Sequence, residues 1–237
     1  RLGYLTWGES PSWGMGIWSS QTTVSGEVRA LSCWNFLSEW RQIVERDYNH
    51  PSIIAWTPFN ETRNNVEAGP MHRQLHLDAY ELTRSLDPTR PVNDASGYIH
   101  YMTDLYTVHN YEQDPAKLAA QLTPTAEAGV FRNHPQYDAP YQGQPYLVDE
   151  FGGIKWIPEG RRAFSERSWG YGQGPTTLEE FYSRLEGLVR GLDGLGHMSG
   201  WCYTQLTDVE QEQNGIYNYD RTEKFDMPRI ARIFRGQ

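Results

Sequence analysis

Short apolar runs alternate along this sequence with longer segments whose apolar residues recur every three or four positions. The first pattern is typical of buried β-strands and the second of amphipathic helices. We predict strands at residues 4–7, 53–57, 91–93, 105–108, 145–148 and 200–203, and helices at 31–48, 71–86, 115–129, 177–192 and 227–234. Strands that alternate with helices in this way predict an α/β fold, in which helices cover a parallel sheet.

The number of predicted strands bears on how such a sheet closes. A closed parallel barrel has eight strands and takes about 250 residues, whereas this chain of 237 residues has six predicted strands and opens at the first of them. We therefore expect strands three to eight of a TIM barrel, in one catalytic domain over residues 1–237. Because open sheet edges invite pairing, we expect an upstream segment or a second copy of the chain to complete the barrel.

Composition excludes several classes of protein. The net charge of −9 disfavours nucleic-acid binding, which needs basic side chains for the phosphates. No apolar run approaches the roughly 18 residues of a membrane-spanning helix, and the first residues lack the pattern of a signal peptide. We expect neither nucleic-acid nor membrane partners, and the compartment stays open. Aromatic residues make up 14% of the chain, which indicates an ordered protein.

Two glutamates follow predicted strands directly. Glu61 comes after the strand at 53–57, and Glu150 comes after the strand at 145–148. Because the carboxyl ends of barrel strands meet at one rim, we expect both to face one cavity. Paired carboxylates suit glycoside hydrolysis, and abundant Trp and Tyr suit the packing of sugar rings. For either glutamate alone, a solvated loop residue or a helix cap is the better interpretation. Two of them on one rim raise the weight of the catalytic interpretation, so spacing alone leaves the two even.

Four segments resemble glycoside hydrolase family 2, the family of β-galactosidases, β-glucuronidases and β-mannosidases. They are NHPSIIAW at 49–56 followed by Asn60-Glu61, YLVDEFG at 146–152, GWCYTQLTDVE at 200–210, and GYLTWGE at 3–9. They resemble, respectively, the fourth, seventh, eighth and third barrel strands of that family. Each segment is moderately specific, and their order along the chain strengthens the resemblance. It implies that β-sandwich domains and two strand–helix units precede the barrel portion seen here.

The resemblance also implies roles for individual residues. Glu61 corresponds to the general acid/base, whose pKa we expect to be raised, and Glu150 to the nucleophile, which must stay ionised. Retention of configuration implies carboxyl groups about 5–5.5 Å apart. Asn60 corresponds to the residue that binds the sugar 2-hydroxyl, and Tyr111 to the tyrosine that touches the nucleophile. A turn-forming Asn and a core Tyr are the structural alternatives.

Two more residues are candidates for substrate binding. Tyr203 stands where relatives place a sugar-stacking Trp at the end of the eighth strand. Glu9 follows the first predicted strand, where it could orient a sugar hydroxyl or bind a cation, or simply lie on a solvated rim. His72 and His76 have a metal-compatible spacing on a predicted helix but lack the Glu of an H-E-x-x-H motif, so we expect no metal.

These features predict a retaining exo-β-glycosidase that hydrolyses terminal β-linked sugars by double displacement without a cofactor. Three alternatives fit the same chain: a transglycosylase that uses the same two Glu, an inactive or carbohydrate-binding barrel fragment, and a metal-dependent hydrolase on an unrelated barrel. The Asn-x-Lys pair with which β-glucuronidases hold a substrate carboxylate is not seen in the segment 218–221, which reads NYDR. This difference disfavours glucuronides without selecting another sugar.

Overall fold

Helices and strands alternate along the computed structural model, which describes residues 3–12, 25–62, 69–161 and 167–237. In these ranges the elements are β1 (Thr6–Glu9), α1 (Gly26–Asp47), β2 (Ile53–Thr57), α2 (Gly69–Leu86), β3 (Tyr106–Asn110), α3 (Pro115–Leu122), β4 (Tyr146–Gly152), α4 (Leu178–Asp193), β5 (Met198–Thr204) and α5 (Met227–Phe234). The chain divides into unit 1, residues 1–108 and 132–147, and unit 2, residues 109–131 and 148–237. It passes from one unit to the other within β3, between residues 131 and 132, and within β4.

Unit 1 is built on the parallel pair β1 and β2, in which Trp7 lies opposite Ala55 and Glu9 lies opposite Thr57. The prediction of a strand at 91–93 is wrong, because these residues do not form a continuous strand. The predicted strand is reduced to an isolated parallel bridge between Trp56 and Val92. Pro91 has no N–H to donate, and the Val92 N–H donates to the Asp104 carboxylate at 2.9 Å rather than to a strand.

The core of unit 1 lies where α1 and α2 pack against β2. Its buried side chains are large and apolar: Phe36, Trp40, Val44, Trp56, Phe59, Leu75, Ala79 and Ala95. Both buried indoles have partners for their N–H groups, since Trp40 donates to Thr83 at 2.7 Å and Trp56 donates to Asp87 at 2.8 Å. Of the apolar residues that recur at helical spacing in α1, Trp40 and Val44 are buried in this core, whereas Trp34 is exposed.

Unit 2 holds the ends of β3 and β4 together with β5, in the sheet order β3-β4-β5. Helix α4 packs against α3 and α5. A side chain at Gly187 would lie 2.7 Å from Pro115, so glycine allows this close approach of α4 to α3. The Thr177 hydroxyl accepts the Glu180 N–H at 3.1 Å and so caps α4, as the sequence predicts.

Three helices differ in length from their predictions, since α2 starts two residues early, at Gly69, and α1 and α3 differ more. Helix α3 ends at Leu122 instead of continuing to 129, because Thr123 precedes a proline and adopts an extended backbone. Helix α1 starts earlier than predicted, at Gly26, where the Ser25 side chain accepts a hydrogen bond from the Val28 N–H. Within the described ranges, no helix combines the length and the apolar character needed to cross a membrane.

Candidate active site

After β2 the chain continues through Phe59 to Asn60 and Glu61. Backbone hydrogen bonds with Ser96 hold this segment. The Glu61 N–H donates to the Ser96 carbonyl at 3.0 Å, and the Ser96 N–H donates to the Phe59 carbonyl at 2.8 Å. Glu61 has φ of 49°, in the left-handed region. For a residue with a side chain this conformation costs about 1–2 kcal/mol. Strain of this kind concentrates at functional sites, where the surrounding structure maintains it.

Glu9 is the last residue of β1 and Asn60 lies just beyond the end of β2, so both lie at the carboxyl end of this parallel pair. Glu9 is exposed at the end of β1, and the Ser12 hydroxyl accepts the Asn60 N–H at 3.4 Å. The Asn60 Oδ1 atom is buried and has no hydrogen-bond partner within the described ranges. A buried acceptor without a partner is costly, and a ligand hydroxyl would satisfy it.

A chain of fully buried polar side chains begins at Thr62, the residue after Glu61. The Thr62 hydroxyl lies 3.0 Å from His76 Nε2, and His76 Nδ1 lies 3.4 Å from Asp94 Oδ2. Asp94 Oδ1 lies 2.6 Å from His100 Nδ1, and His100 Nε2 lies 2.7 Å from the Thr107 carbonyl. We call Thr62, His76, Asp94 and His100 the buried relay of unit 1.

The two histidines of the relay differ in charge. Burial lowers the pKa of His76 in spite of the nearby Asp94, so its ring is neutral. Burial alone would lower the pKa of His100 and raise that of Asp94, but their mutual attraction prevails. The pKa of His100 is therefore raised and that of Asp94 is lowered, which makes them a buried ion pair.

In unit 2, Glu150 lies in β4 and Tyr111 directly follows β3. The Tyr111 hydroxyl donates a hydrogen bond to Glu150 Oε2. Burial and then the Glu150 carboxylate raise the pKa of Tyr111, so the phenol keeps its proton and donates. His109 Nδ1 lies 3.4 Å from Glu150 Oε2, and His109 Nε2 lies 3.3 Å from Asp149 Oδ1. Glu150 is thus a carboxylate held by two polar neighbours.

The tyrosine that contacts Glu150 is itself held by an aromatic stack. The ring of Tyr171 lies parallel to that of Tyr111, with centroids 3.4 Å apart. Gly153 has φ of 58°, and a side chain there would collide with Tyr171. Gln113 donates to the Gly152 carbonyl at 2.6 Å and ties the segment after Tyr111 to the end of β4. These contacts fix the phenol against Glu150.

Tyr203 lies in β5 and is buried in unit 2. Its ring packs edge-on against Phe151, and a side chain at Gly152 would collide with it. Its hydroxyl accepts the Ile154 N–H at 3.2 Å and donates to the Asn214 carbonyl at 3.3 Å. Tyr203 supports the chain that follows Glu150, and its predicted contact with a sugar stays a prediction.

The six residues predicted from the sequence fall into two groups. Unit 1 contains Glu9, Asn60 and Glu61, and unit 2 contains Tyr111, Glu150 and Tyr203. The structure brings Asn60 and Glu9 to one edge, and it brings Tyr111 into contact with Glu150. Since the two glutamates lie in different units, the predicted separation of their carboxyl groups stays a prediction.

Similarity to known proteins places the chain in a family. Residues 11–153 match the family model of the TIM barrel domain of the glycosyl hydrolases of family 2. The chain belongs to this family. The predicted family and the predicted α/β, TIM-barrel fold class are thereby confirmed. The matched part of this family 2 chain includes both Glu61 and Glu150.

Two curated family 2 relatives are similar to parts of the chain. A β-glucuronidase of Bacteroides fragilis is 30% identical over 143 residues, which cover 57% of this chain and 19% of that protein. A β-galactosidase of Thermoanaerobacterium thermosulfurigenes is 27% identical over 162 residues, which cover 64% of this chain and 19% of that protein. The family 2 chain thus spans about a fifth of the length of these relatives.

Solved structures extend the likeness of fold over nearly the whole chain. A family 2 β-galacturonidase from Eisenbergiella tayi, bound to glycerol, has a TM-score of 0.67 and 18% identity, and the match covers 98% of this chain and 40% of that one. A β-D-glucuronidase of Dictyoglomus thermophilum has a TM-score of 0.64 and 21% identity, covering 90% and 36%. At these identities the likeness shows the fold alone.

Proposed function

We propose that the protein carrying this chain is a retaining exo-β-glycosidase, in which Glu150 is the nucleophile and Glu61 is the general acid/base. The observation that carries the proposal is the family 2 match, which includes both glutamates, β2 before Glu61, and β4 up to and including Glu150. The contact between Tyr111 and Glu150 supports the role of Glu150, because a donated hydrogen bond stabilises an ionised carboxylate.

The proposed reaction has two displacements. Glu150 attacks the anomeric carbon, the bond from that carbon to the leaving oxygen breaks, and Glu61 protonates the leaving oxygen. Glu61 then removes a proton from water, whose oxygen attacks the same carbon and releases Glu150. Tyr111 keeps Glu150 oriented through both steps. The sugar leaves with the configuration with which it entered.

Binding of the sugar is proposed for the remaining predicted residues. The unsatisfied Asn60 Oδ1 is suited to accept the sugar 2-hydroxyl, a contact that strengthens in the transition state. Glu9 would accept a hydroxyl at the edge of unit 1, and Tyr203 would line the sugar site from β5. Of these contacts, the one from Asn60 has the most support, because its acceptor is buried and lacks a partner among the described residues.

A neutral sugar is the substrate we propose first. The names of relatives include both β-galactosidase and β-glucuronidase. The Asn218 amide donates to the carbonyls of Thr222 and Glu223, so its hydrogen atoms are used within the turn. This arrangement disfavours Asn218 as a binder of a substrate carboxylate. The test is a panel of 4-nitrophenyl β-glycosides with neutral and acidic sugars, followed by ¹H NMR of the first-formed product. We expect a β-anomer; an α-anomer would refute retention.

The variant Glu61→Ala should lose activity in a way that depends on the leaving group. General acid catalysis contributes about 10²- to 10⁴-fold, so kcat/KM for a phenyl β-glycoside should fall in that range. A 2,4-dinitrophenolate needs no protonation, so kcat/KM for that glycoside should change little. Added azide should replace water in the second step and yield a β-glycosyl azide. Equal losses on both substrates would contradict the role of Glu61.

The variant Tyr111→Phe should lower kcat/KM by about 10- to 100-fold, because a hydrogen bond to a charged group contributes about 1.5–3 kcal/mol. The ring and its stack on Tyr171 remain, so the stability of the fold should change little. Steady-state kinetics on an aryl β-glycoside measures the effect. Tyr137→Phe, at an exposed tyrosine of unit 1, is the matched control and should leave kcat/KM unchanged. Equal rates for the two variants would contradict the role of the Tyr111 hydroxyl.

A further inference from the structure

An acid/base carboxyl works only when it is aimed closely at the reacting oxygen, and an error of about 1 Å costs on the order of 100-fold in rate. Glu61 has a left-handed backbone, which residues with side chains rarely adopt. Contacts with neighbouring groups must therefore stabilise this backbone conformation of Glu61. The Ser96 carbonyl accepts the Glu61 N–H and so holds the backbone on the N-terminal side of Glu61. The backbone on the C-terminal side needs a contact of its own.

His76 contacts the chain on both sides of Glu61. Its ring stacks on Phe59, two residues before Glu61, with centroids 4.4 Å apart and planes inclined by 22°. Its Nε2 atom lies 3.0 Å from the hydroxyl of Thr62, the residue after Glu61. Phe59, Thr62 and His76 are all fully buried, so these contacts exclude water. One imidazole thus brackets the segment that carries Glu61.

The direction of the Thr62 hydrogen bond follows from the other side of the ring. His76 Nδ1 faces the ionised Asp94 carboxylate at 3.4 Å, so Nδ1 carries the proton. In a neutral ring Nε2 is then an acceptor, and the Thr62 hydroxyl donates to it. This hydrogen bond fixes the rotamer of Thr62 and, through it, the backbone that follows Glu61.

Asp94 is in turn fixed by groups that are independent of His76. The N–H of Tyr101 donates to Asp94 Oδ2 at 2.8 Å, and the N–H of Met102 donates to the same oxygen at 3.2 Å. His100 binds the other oxygen at 2.6 Å. The carboxylate can therefore select the His76 tautomer and hold its orientation, as the carboxylate partners of functional histidines do elsewhere.

We propose that His76 is a positioning residue for Glu61, acting through Thr62 and Phe59, and that Asp94 selects the tautomer it needs. The inference rests on the proposed role of Glu61 as the acid/base. It predicts that loss of the Thr62 hydroxyl weakens acid catalysis while binding and nucleophilic attack continue. In this proposal His76, Thr62, Phe59 and Asp94 act through Glu61 and not directly on the substrate.

The test compares Thr62→Val, which replaces the hydroxyl with a methyl group of similar size, with Thr62→Ser, which keeps it. Both variants are made in the full-length protein that the gene encodes. For a phenyl β-glycoside, kcat/KM should fall about 10- to 100-fold in Thr62→Val, within the range that acid catalysis supplies. For the 2,4-dinitrophenyl glycoside it should stay within about threefold of wild type, and Thr62→Ser should stay within about threefold on both substrates.

Equal losses on the two substrates in Thr62→Val, or equal losses in the two Thr62 variants, would overturn the inference. Glu61→Ala in the same assay separates this failure from failure of the proposed function. If Glu61→Ala shows the leaving-group dependence and Thr62→Val does not, only the positioning role is refuted. If Glu61→Ala does not show it, the role of Glu61 is refuted.

A measurement on the wild-type protein is independent of how the variants fold. ¹⁵N NMR of the His76 ring should show a proton on Nδ1 and an unprotonated, hydrogen-bonded Nε2 at neutral pH. The opposite tautomer, or a doubly protonated ring, would overturn the inference because Nε2 could then not accept the Thr62 hydroxyl.

Discussion

The Glu150→Ala variant should lose about 10⁴-fold or more in kcat on every β-glycoside that the wild-type protein hydrolyses, whatever the leaving group. The reason is that no bond to the anomeric carbon can form without the nucleophile, so a good leaving group offers no relief. This distinguishes Glu150→Ala from Glu61→Ala, in which a good leaving group restores the first step. The measurement is kcat on the phenyl and 2,4-dinitrophenyl glycosides.

Azide provides the internal control for Glu150→Ala. A small anion can enter the space left by the carboxylate and attack the anomeric carbon once, with inversion, to give an α-glycosyl azide. Glu186→Gln is the matched control, because Glu186 lies on α4 of the same unit and forms an ion pair with the exposed Arg190. Near wild-type turnover by Glu150→Ala would exclude Glu150 as the nucleophile.

The Asp94→Asn variant should show the largest loss of stability, about 3–5 kcal/mol in the free energy of unfolding. Asp94 and His100 are both fully buried and lie 2.6 Å apart, so the substitution leaves a buried imidazole without its counter-ion. Denaturant unfolding followed by fluorescence measures the loss. Glu45→Gln is the control, since its partner Arg41 is exposed and such pairs contribute less than about 1 kcal/mol.

The difference between wild type and Asp94→Asn should depend on pH. The pKa of Asp94 is lowered from its ordinary 3.8, so its contribution is lost as pH falls through the folded-state pKa. The pKa of His100 is raised from its ordinary 6.5, so its contribution is lost as pH rises through the folded-state pKa. The ion pair should therefore contribute fully between pH 3.8 and 6.5. A difference that stays constant outside this window would contradict the ion pair.

Much of the fold follows from local patterns in the sequence. The strand at 53–57 and the helix at 227–234 have the bounds that their apolar patterns predict, because burial selects these patterns directly. The patterns fail where single residues decide. Pro124 ends α3 early, and Pro91 with Asp104 reduces a predicted strand to a bridge. Apolar periodicity cannot detect these local effects on backbone hydrogen bonding.

Some residues of the candidate site can be predicted from the sequence, and others cannot. Glu61 and Glu150 are found because residues at the carboxyl end of a strand have a predictable place in an α/β fold. The strand predicted at 145–148 is too short, however, since β4 continues to Gly152 and contains Glu150. The pairing of His76 with Asp94 and His100 is not found, because Asp94 and His100 lie in an irregular segment that only tertiary packing brings to α2. The spacing of His72 and His76 does not indicate that His76 contacts Thr62 and Asp94. Tyr171 was missed for the same reason, since it lies outside any described strand or helix.

The central claim is that Glu150 forms a covalent bond with the sugar during turnover. A 2-deoxy-2-fluoro-β-glycoside of the preferred sugar, with a 2,4-dinitrophenyl leaving group, slows the second displacement and allows the intermediate to accumulate. Mass spectrometry of the protein, followed by sequencing of the labelled peptide, should find one fluoroglycosyl group on Glu150. A label on another residue, or turnover that yields an α-anomer without a label, would contradict the account.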